Sequence, residues 1–179
     1  MHKQKFTRLQ NEIFGLLCSK SGAKLNQREI ADALKVSPMA ISKALPLLEK
    51  EELAKIEKSK SLKLNSVELN RESARAVALK RAYNLKLLYE SGLVEFLFEK
   101  FPGAAIILFG SFSRGEDTIN SDVDIAIIGA KEKNISLEEF EKKLERNISL
   151  NFYVSLKKID KHLRNNILNG IVLAGGIEL

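Results

Sequence analysis

Apolar residues recur at helical spacing through the first part of the chain, and short polar stretches separate the resulting segments. The spacing predicts a first helix over residues 5–20. In the next segment, Asn26 is the predicted N-cap of a short helix, with Glu29 as its capping-box partner. Ser37 is the predicted cap of a further helix that begins at Pro38. Two short helices across a brief turn predict a helix-turn-helix.

Alternating apolar and polar residues follow these helices at residues 54–56 and 62–64, and they predict two strands. The intervening residues 57–61 would form a basic hairpin tip. This arrangement resembles the wing of a winged helix-turn-helix domain, and the resemblance covers residues 6–68. In that family the second helix of the motif enters the major groove of DNA, while the wing contacts the backbone or the minor groove.

The resemblance implies a set of DNA-facing residues in the second helix and the wing. They are Ser37, Met39, Ala40, Ser42, Lys43, Lys58, Lys60 and Lys63. Few side chains of that helix are Arg, Asn or Gln, which read bases through paired hydrogen bonds, so we expect modest sequence specificity. The alternative is that this small fold is a protein-interaction module.

A long helical stretch at residues 69–91 connects this domain to the rest of the chain, and a second helix is predicted at residues 93–101. One face of the long stretch is predicted to form the seam of a homodimer. Its residues are Leu79, Ala82, Tyr83, Lys86 and Leu87.

Apolar runs alternate with helical segments in the second half of the chain. Strands are predicted over residues 104–109, 123–128, 148–154 and 170–175, with helices over residues 136–146, capped by Ser136, and over residues 157–168. The expected fold class is therefore α+β with two domains. A winged helix-turn-helix occupies residues 1–68, a helical connector residues 69–91, and a mixed α/β domain residues 92–179.

The segment around the first two of these strands carries the candidate chemistry. Gly110 and Ser111 follow the first apolar run, and Asp122 and Asp124 stand one residue apart at the head of the second. Alternate residues of a strand point to the same face, so the two carboxylates are expected side by side. Like charges so close favour a bound cation, and Mg²⁺ commonly joins one or two carboxylates to substrate phosphates. The pattern predicts a metal-dependent site for a nucleoside triphosphate; the alternative is a strand-loop-strand with a polar loop.

Gly-Ser followed by Asp-x-Asp at this spacing resembles the signature of the nucleotidyltransferase superfamily that includes DNA polymerase beta. The compact length resembles its minimal branch, and the whole chain resembles archaeal winged-helix–nucleotidyltransferase fusion proteins. The resemblance implies a nucleotidyltransferase fold for residues 92–179. It also implies that Gly110 and Ser111 hold the phosphates of ATP or another nucleoside triphosphate, while Asp122 and Asp124 are catalytic and coordinate Mg²⁺ or Mn²⁺.

Four further polar residues lie between or beside these positions. Arg114 is either a phosphate ligand or a surface arginine. Ser121 is expected to cap or orient the loop before Asp122, and Glu116 and Asp117 are expected to be solvated loop charges.

A third carboxylate, which the superfamily often carries, is missing from the predicted third strand. Ser149 or Asn151 holds the equivalent face. Asparagine can ligate a metal through its carbonyl, but it is a poor general base at neutral pH. Loss of a ligand also weakens a second metal site. The sequence therefore supports nucleotide binding better than turnover.

Charge and composition separate the two halves of the chain. Residues 1–91 carry 18 Lys and Arg against 10 Asp and Glu, whereas residues 92–179 carry 11 against 13. A basic first half fits DNA as a partner.

The single cysteine, Cys18, excludes an internal disulfide. No apolar run approaches the roughly 20 residues of a membrane helix, and the N-terminus lacks the apolar core of a secretion signal. We therefore expect a cytoplasmic protein without a membrane partner.

These observations favour a Mg²⁺-dependent enzyme that transfers a nucleoside monophosphate, from ATP or another triphosphate, to a hydroxyl of a protein or other acceptor. A second hypothesis is a catalytically weak regulator that senses nucleotide and controls DNA binding. A third, an antitoxin-like partner of a helical toxin, depends on the family resemblance alone.

Overall fold

The computed structural model describes residues 6–58 and 65–177. The chain divides into two compact units, Met1–Lys80 and Arg81–Leu179. Among the described residues, no helix is long and apolar enough to cross a membrane. The finer three-part division at residues 68 and 91 stays a prediction.

The first unit contains three helices and a small antiparallel sheet. In chain order its elements are α1 Arg8–Ser19, β1 Leu25–Asn26, α2 Gln27–Leu34, α3 Pro38–Lys50, β2 Ala54–Lys58 and β3 Asn65–Leu69. The sheet has the order β1-β3-β2, so β3 pairs with both other strands. Three helices joined to a β-hairpin in this order form a winged helix-turn-helix, and the predicted fold class of this unit is confirmed.

Side-chain caps fix where these helices begin. The Asn26 side chain accepts hydrogen bonds from the backbone of Arg28 and Glu29, while the Glu29 carboxylate accepts from the backbone N–H of Asn26. Ser37 Oγ accepts from the backbone N–H of Ala40 at 3.2 Å. Each cap satisfies donors that the first helical turn leaves unpaired, so both predicted helix starts are confirmed.

The turn between α2 and α3 depends on Lys35, which adopts a left-handed conformation with φ of 54°. On either side of it, Ile30 and Ile41 are fully buried and hold the two helices together. Pro46 lies inside α3, and the helix continues through it.

The strands of the first unit differ in part from the sequence prediction. The two-residue β1 was not predicted, because a segment so short carries no apolar alternation. The predicted strand at residues 62–64 lies outside the described residues. The strand observed nearest to it is β3, which pairs Val67 with Ile56 of β2.

The second unit is a four-stranded mixed sheet with helices on both faces. The remaining elements are α4 Ala74–Glu90, which begins in the first unit, then α5 Leu93–Lys100, β4 Ala105–Phe109, α6 Gly110–Arg114, β5 Val123–Ile128, α7 Glu138–Leu144, β6 Ile148–Tyr153, α8 Lys161–Leu168 and β7 Ile171–Ala174, with a short 3-10 turn at Leu156–Lys158. The strand order is β6-β5-β4-β7, in which only β5 and β6 run parallel. This confirms the mixed α/β layer.

Strand alternation divides the core of this unit between the two faces of the sheet. One face packs residues of the strands against α4, α5 and α7, and its buried members include Leu88, Leu97, Ile106, Leu108, Ile125 and Leu144. The other face packs against the 3-10 turn and α8, and its buried members are Ile107, Phe109, Ala126, Leu156, Ile159 and Ile167. Asp124 alternates with Ile125 and therefore belongs to the second face.

Two predicted helix starts in this unit are wrong. The structure begins α7 at Glu138 without a side-chain cap, and Ser136 stays exposed outside the helix. Acidic residues in the first turn of α7 stabilise its N-terminus electrostatically instead. The helix predicted from residue 157 begins only at Lys161, because the Asp160 carboxylate caps it through the backbone N–H groups of His162 and Leu163.

The buried side of α4 is not the side that its apolar residues suggest. Ala76, Lys80, Asn84 and Leu88 are buried, at helical spacing. In contrast, the residues of the predicted dimer seam (Leu79, Ala82, Tyr83, Lys86 and Leu87) are exposed or half-buried. A homodimer through this exposed side stays a prediction.

Gly170→Ala is expected to destabilise the protein. A Cβ at Gly170 would overlap the backbone carbonyl oxygen of Leu108 in β4, so β7 would have to move away from its neighbour. We expect a loss of about 1–3 kcal/mol in the free energy of unfolding, measured by urea denaturation. Gly176→Ala is the matched control, because a Cβ there meets nothing within 4 Å. Equal stability of the two variants would contradict the prediction.

Candidate active site

The end of β4 lies against the Asp124 carboxylate. Phe109, the last residue of β4, pairs with Asp124 of β5 across the antiparallel ladder. Gly110 follows with φ of 73°, a conformation that favours glycine, and a Cβ there would overlap Asp124 Oδ2. The chain therefore turns into α6 directly beside this carboxylate only because residue 110 is glycine.

The two motif aspartates lie at the same end of β5. Asp122 immediately precedes the strand and is exposed, while Asp124 is half-buried at its second position. Burial raises the pKa of the Asp124 carboxyl above its ordinary value, and the negative charge of Asp122 raises it further. The two carboxylates are therefore near enough for their charges to interact.

Ser111 lies in the first turn of α6, where its half-buried side chain follows Gly110. The buried Ser113 closes this turn, since its Oγ donates to the carbonyl oxygen of Gly110 at 2.8 Å. Gly115 ends α6 in a left-handed conformation. The turn that presents Ser111 is thus fixed at both ends.

The loop before Asp122 is held by polar contacts at both sides. Ser121 Oγ accepts from the backbone N–H of Thr118 at 2.9 Å, which confirms its predicted role in orienting the loop. Asn147, immediately before β6, donates from Nδ2 to Asp122 Oδ1 at 3.3 Å. Its carbonyl oxygen also accepts from the backbone N–H of Val123 at 2.8 Å.

Asp117 is not a solvated loop charge, and this prediction is wrong. Its side chain is almost completely buried. Asn84 Nδ2 donates to Asp117 Oδ1 at 2.7 Å, and Arg146 Nη2 lies 3.7 Å from Asp117 Oδ2. Because both partners are about 30 residues away along the chain, the sequence around Asp117 contains no local pattern that predicts its burial. Glu116, by contrast, is exposed as predicted.

Arg114 lies on the surface at the last position of α6. Its Nε donates to Glu116 Oε2 at 2.7 Å, and its Nη1 donates to Asn166 Oδ1 of α8 at 3.1 Å. The guanidinium is therefore held close to the motif by the exposed Glu116 and the half-buried Asn166. Its contact with phosphate stays a prediction.

Strand β6 presents Ser149 next to Asp124. The parallel register pairs these two residues directly and places Asn151 opposite Ala126, two residues further along each strand. Asn151 Nδ2 is 3.3 Å from Ser149 Oγ, so the two side chains that replace the missing acid contact each other. Within residues 6–58 and 65–177, no group of three or more His, Cys, Asp or Glu side chains could hold a metal ion.

The donor set nevertheless fits a hard divalent cation. Two carboxylates at the end of one strand supply oxygen ligands, and Asp124, whose pKa is raised by burial and further by the charge of Asp122, gains from a nearby positive charge. Mg²⁺ typically uses one or two carboxylates and completes its shell with water and substrate phosphates. The polar space beside Asp122 is an open cleft of about 560 Å³ whose lining includes Asn120, Glu141 and Asn147. Gly110, Ser111 and Asp124 do not line this cleft.

The DNA-facing residues predicted in the first unit are mostly exposed. Ser37, Met39, Ser42 and Lys43 are exposed on α3, although the Ser37 hydroxyl also caps the helix, and Ala40 is half-buried. The backbone of Lys58 ends β2. Lys60 and Lys63 lie outside the described residues.

Residues 90–174 match the family model described as the nucleotidyltransferase domain. This segment contains the whole sheet, the turn after β4 and both motif aspartates. The second half of the chain therefore carries a nucleotidyltransferase domain, and the expected fold of this part is confirmed.

The chain is similar to several solved structures at low TM-scores. They include the adhesin competence repressor of Streptococcus pyogenes, with 24% identity and a TM-score of 0.41 over 55% of this chain and 70% of that one. A variant of Lactococcus lactis ZitR has 25% identity and a TM-score of 0.41 over 56% and 66%. The Staphylococcus aureus MepR–DNA complex has 24% identity and a TM-score of 0.40 over 52% and 67%.

Because these TM-scores are low, they do not support the assignment of a fold. The first unit is assigned as a winged helix from the order and pairing of its own elements. No curated protein matches the chain.

Asp122→Asn is expected to lower the pKa of Asp124 in the metal-free protein. The variant removes the second cause of the raised pKa but not the burial, so the pKa should fall only part of the way to its ordinary value. Carboxyl-carbon NMR titration measures this shift. Asp160→Asn, which preserves the cap of α8, is the control and should leave the pKa unchanged. An unchanged pKa in Asp122→Asn would contradict the close approach of the two aspartates.

The same shift sets a pH dependence of stability. Because the folded-state pKa of Asp124 lies above the unfolded one, the folded protein holds this proton more tightly. Its contribution to stability is full below the unfolded pKa and is lost as pH rises through the folded pKa. In Asp122→Asn the folded-state pKa of Asp124 should be lower, so the free energy of unfolding should fall less as pH rises.

Proposed function

We propose that the second unit binds a nucleoside triphosphate, ATP in the first instance, with Mg²⁺ and transfers the nucleoside monophosphate to a hydroxyl group. The contact between Gly110 and the Asp124 carboxylate carries this proposal. It brings the turn with Ser111 beside the carboxylate pair. The proposed phosphate and metal ligands therefore lie at one end of the sheet.

Each residue has a role that follows from its position. Asp122 and Asp124 would hold the cation, and the backbone and hydroxyl of Ser111 would donate to the terminal phosphates. When bound, Mg²⁺ would neutralise charge on the phosphates and polarise the α-phosphate. Asn147 keeps Asp122 oriented through its Nδ2 contact.

In the transfer step, the acceptor oxygen bonds to the α-phosphorus as the bond from that phosphorus to the bridging oxygen breaks. Pyrophosphate leaves with the electron pair, and the hydroxyl proton passes to solvent. We propose a protein hydroxyl as the acceptor, on this chain or on a partner. The lack of an acid on β6 is expected to make the step slow, since neither serine nor asparagine is an effective general base at neutral pH.

The first test is labelling with ATP that carries the label on its α-phosphate. Wild-type protein with Mg²⁺ should label itself or an added protein fraction. Asp122→Asn/Asp124→Asn should label more than about 100-fold less, because the loss of metal ligands exceeds the 10–100-fold effect typical of residues that only support ligands. Asp160→Asn is the matched control. Absence of labelling in the wild type would contradict the proposed transfer.

Ser149 in place of an acid beside Asp124 favours a second candidate function, a nucleotide-sensing regulator. In that case the wild type binds ATP with Mg²⁺ by calorimetry and transfers no label, while ATP changes its affinity for DNA. Unchanged DNA affinity at saturating ATP would rule this candidate out.

We also propose that the first unit binds DNA through α3. The support is the exposed Met39, Ser42 and Lys43 on the second helix of a helix-turn-helix, in a half of the chain with a basic charge balance. Because polar base-reading side chains are few, phosphate contacts should supply most of the affinity.

Lys43→Ala is expected to weaken binding to all duplex sequences by a similar factor. It should also reduce the slope of log affinity against log salt by about 0.9, the value for one lost phosphate contact. Fluorescence anisotropy over a salt series measures both quantities. Lys161→Ala, the same charge change on α8 of the other unit, serves as the control. A slope unchanged by Lys43→Ala would exclude a phosphate contact of Lys43.

A further inference from the structure

Three polar side chains are buried together behind the motif of the second unit. Asn84, Asp117 and Arg146 are 3%, 1% and 7% exposed, and we call them the buried polar cluster. They come from α4, from the loop between α6 and β5, and from the residue before Asn147. Burial of polar and charged groups is costly unless they bond to one another, so such a cluster needs partners in fixed positions.

Asn84 joins the two halves of the motif. Its Nδ2 donates to the carbonyl oxygen of Phe112 at 3.0 Å and to Asp117 Oδ1 at 2.7 Å. Phe112 belongs to α6, which presents Ser111, while Asp117 belongs to the loop that leads to Asp122. One amide group thus ties the turn after β4 to the loop before β5.

Arg146 joins the same loop to the start of β6. Its Nη2 lies 3.7 Å from Asp117 Oδ2, and its Nη1 donates to the carbonyl oxygen of Glu145 at 2.8 Å. The next residue, Asn147, contacts Asp122 through its side chain and Val123 through its carbonyl oxygen. The cluster is therefore connected to Asp122 in two ways: through the loop that follows Asp117, and through Asn147, which follows Arg146.

We propose that the buried polar cluster is the positioning element of the candidate active site and sets the separation between the Gly110-Ser111 turn and the two motif aspartates. This inference depends on the proposed nucleotide binding at that site. None of the three residues need touch the nucleotide. Buried hydrogen bonds are directional and shielded from competing water, so they fix a geometry that apolar packing would leave adjustable.

The test compares two buried polar substitutions in the full-length protein. Asn84→Leu keeps the number and branching of the side-chain heavy atoms and removes both donated hydrogen bonds. Ser91→Ala removes a buried hydroxyl that bonds only to the backbone of Leu88 and Leu93, away from the motif. Calorimetric titration with ATP and Mg²⁺ should show a 10- to 100-fold loss of affinity in Asn84→Leu and none in Ser91→Ala, with thermal unfolding recorded for both. Equal affinities of the two variants would overturn the proposal.

A reciprocal exchange adds a readout that a general loss of stability would not give. Asn84→Asp and Asp117→Asn each replace an amide–carboxylate pair by two like groups. The double variant Asn84→Asp/Asp117→Asn restores one amide and one carboxylate in reversed positions, but a carboxylate at position 84 cannot donate to the carbonyl oxygen of Phe112. Affinity for ATP with Mg²⁺ should therefore recover only in part: the double variant should lose less affinity than the sum of the two single losses, as a double-mutant cycle for an interacting pair requires. Additive losses would overturn the proposal.

Hydrogen exchange separates failure of this inference from failure of the proposed function. If the wild type binds no ATP, nucleotide binding is disproved, and amide exchange across residues 110–124 still measures the positioning. Asn84→Leu should accelerate exchange in this segment at least tenfold more than Ser91→Ala does. Similar exchange in the two variants would contradict the positioning role whether or not nucleotide binds.

Discussion

The close approach of Gly110 to the Asp124 carboxylate constrains the rest of the second unit. It requires β4 and β5 to pair with Phe109 opposite Asp124. A shift of this pairing by one residue would move Asp124 to the apolar face that packs against α4, α5 and α7. It also requires a glycine, because any side chain at position 110 would collide with the carboxylate. Strand register, glycine and aspartate are therefore parts of a single structural requirement.

The pairing of β4 with β5 does not fix the loop between α6 and β5. Because this loop contains no helix or strand, side-chain contacts must hold it in place. The surface side of the loop is fixed by short-range contacts, such as the bond from the Thr118 backbone to Ser121. Its inner side depends on Asp117 and on partners from α4 and from the segment before β6. Burial of these polar groups costs desolvation energy. In return, their directional hydrogen bonds fix the geometry of a site that is proposed to bind both a metal and a phosphate.

The sequence predicted most of this fold because local signals decide most of it. Caps at Asn26 and Ser37, and apolar runs bounded by glycine or loop residues, placed α2, α3, β4 and β5 correctly. The errors have different physical origins. Burial of Asp117 depends on residues distant along the chain, and a buried polar residue breaks the apolar periodicity from which burial is inferred. The start of α8, in contrast, is set locally by the Asp160 carboxylate, a cap that the spacing of apolar residues does not locate.

The position of β7 has a consequence for the order in which the protein can fold. Strand β4, whose five residues are all buried, is flanked by β5 on one side and by β7, the last strand of the described chain, on the other. During synthesis, β4 and β5 can pair soon after they emerge, whereas the other edge of β4 stays open until β7 has been made. An open apolar edge is a site for pairing with another chain. A ribosome that stalls before Ile171 would therefore leave a nascent chain prone to aggregation, although every residue of the candidate active site had already been synthesised.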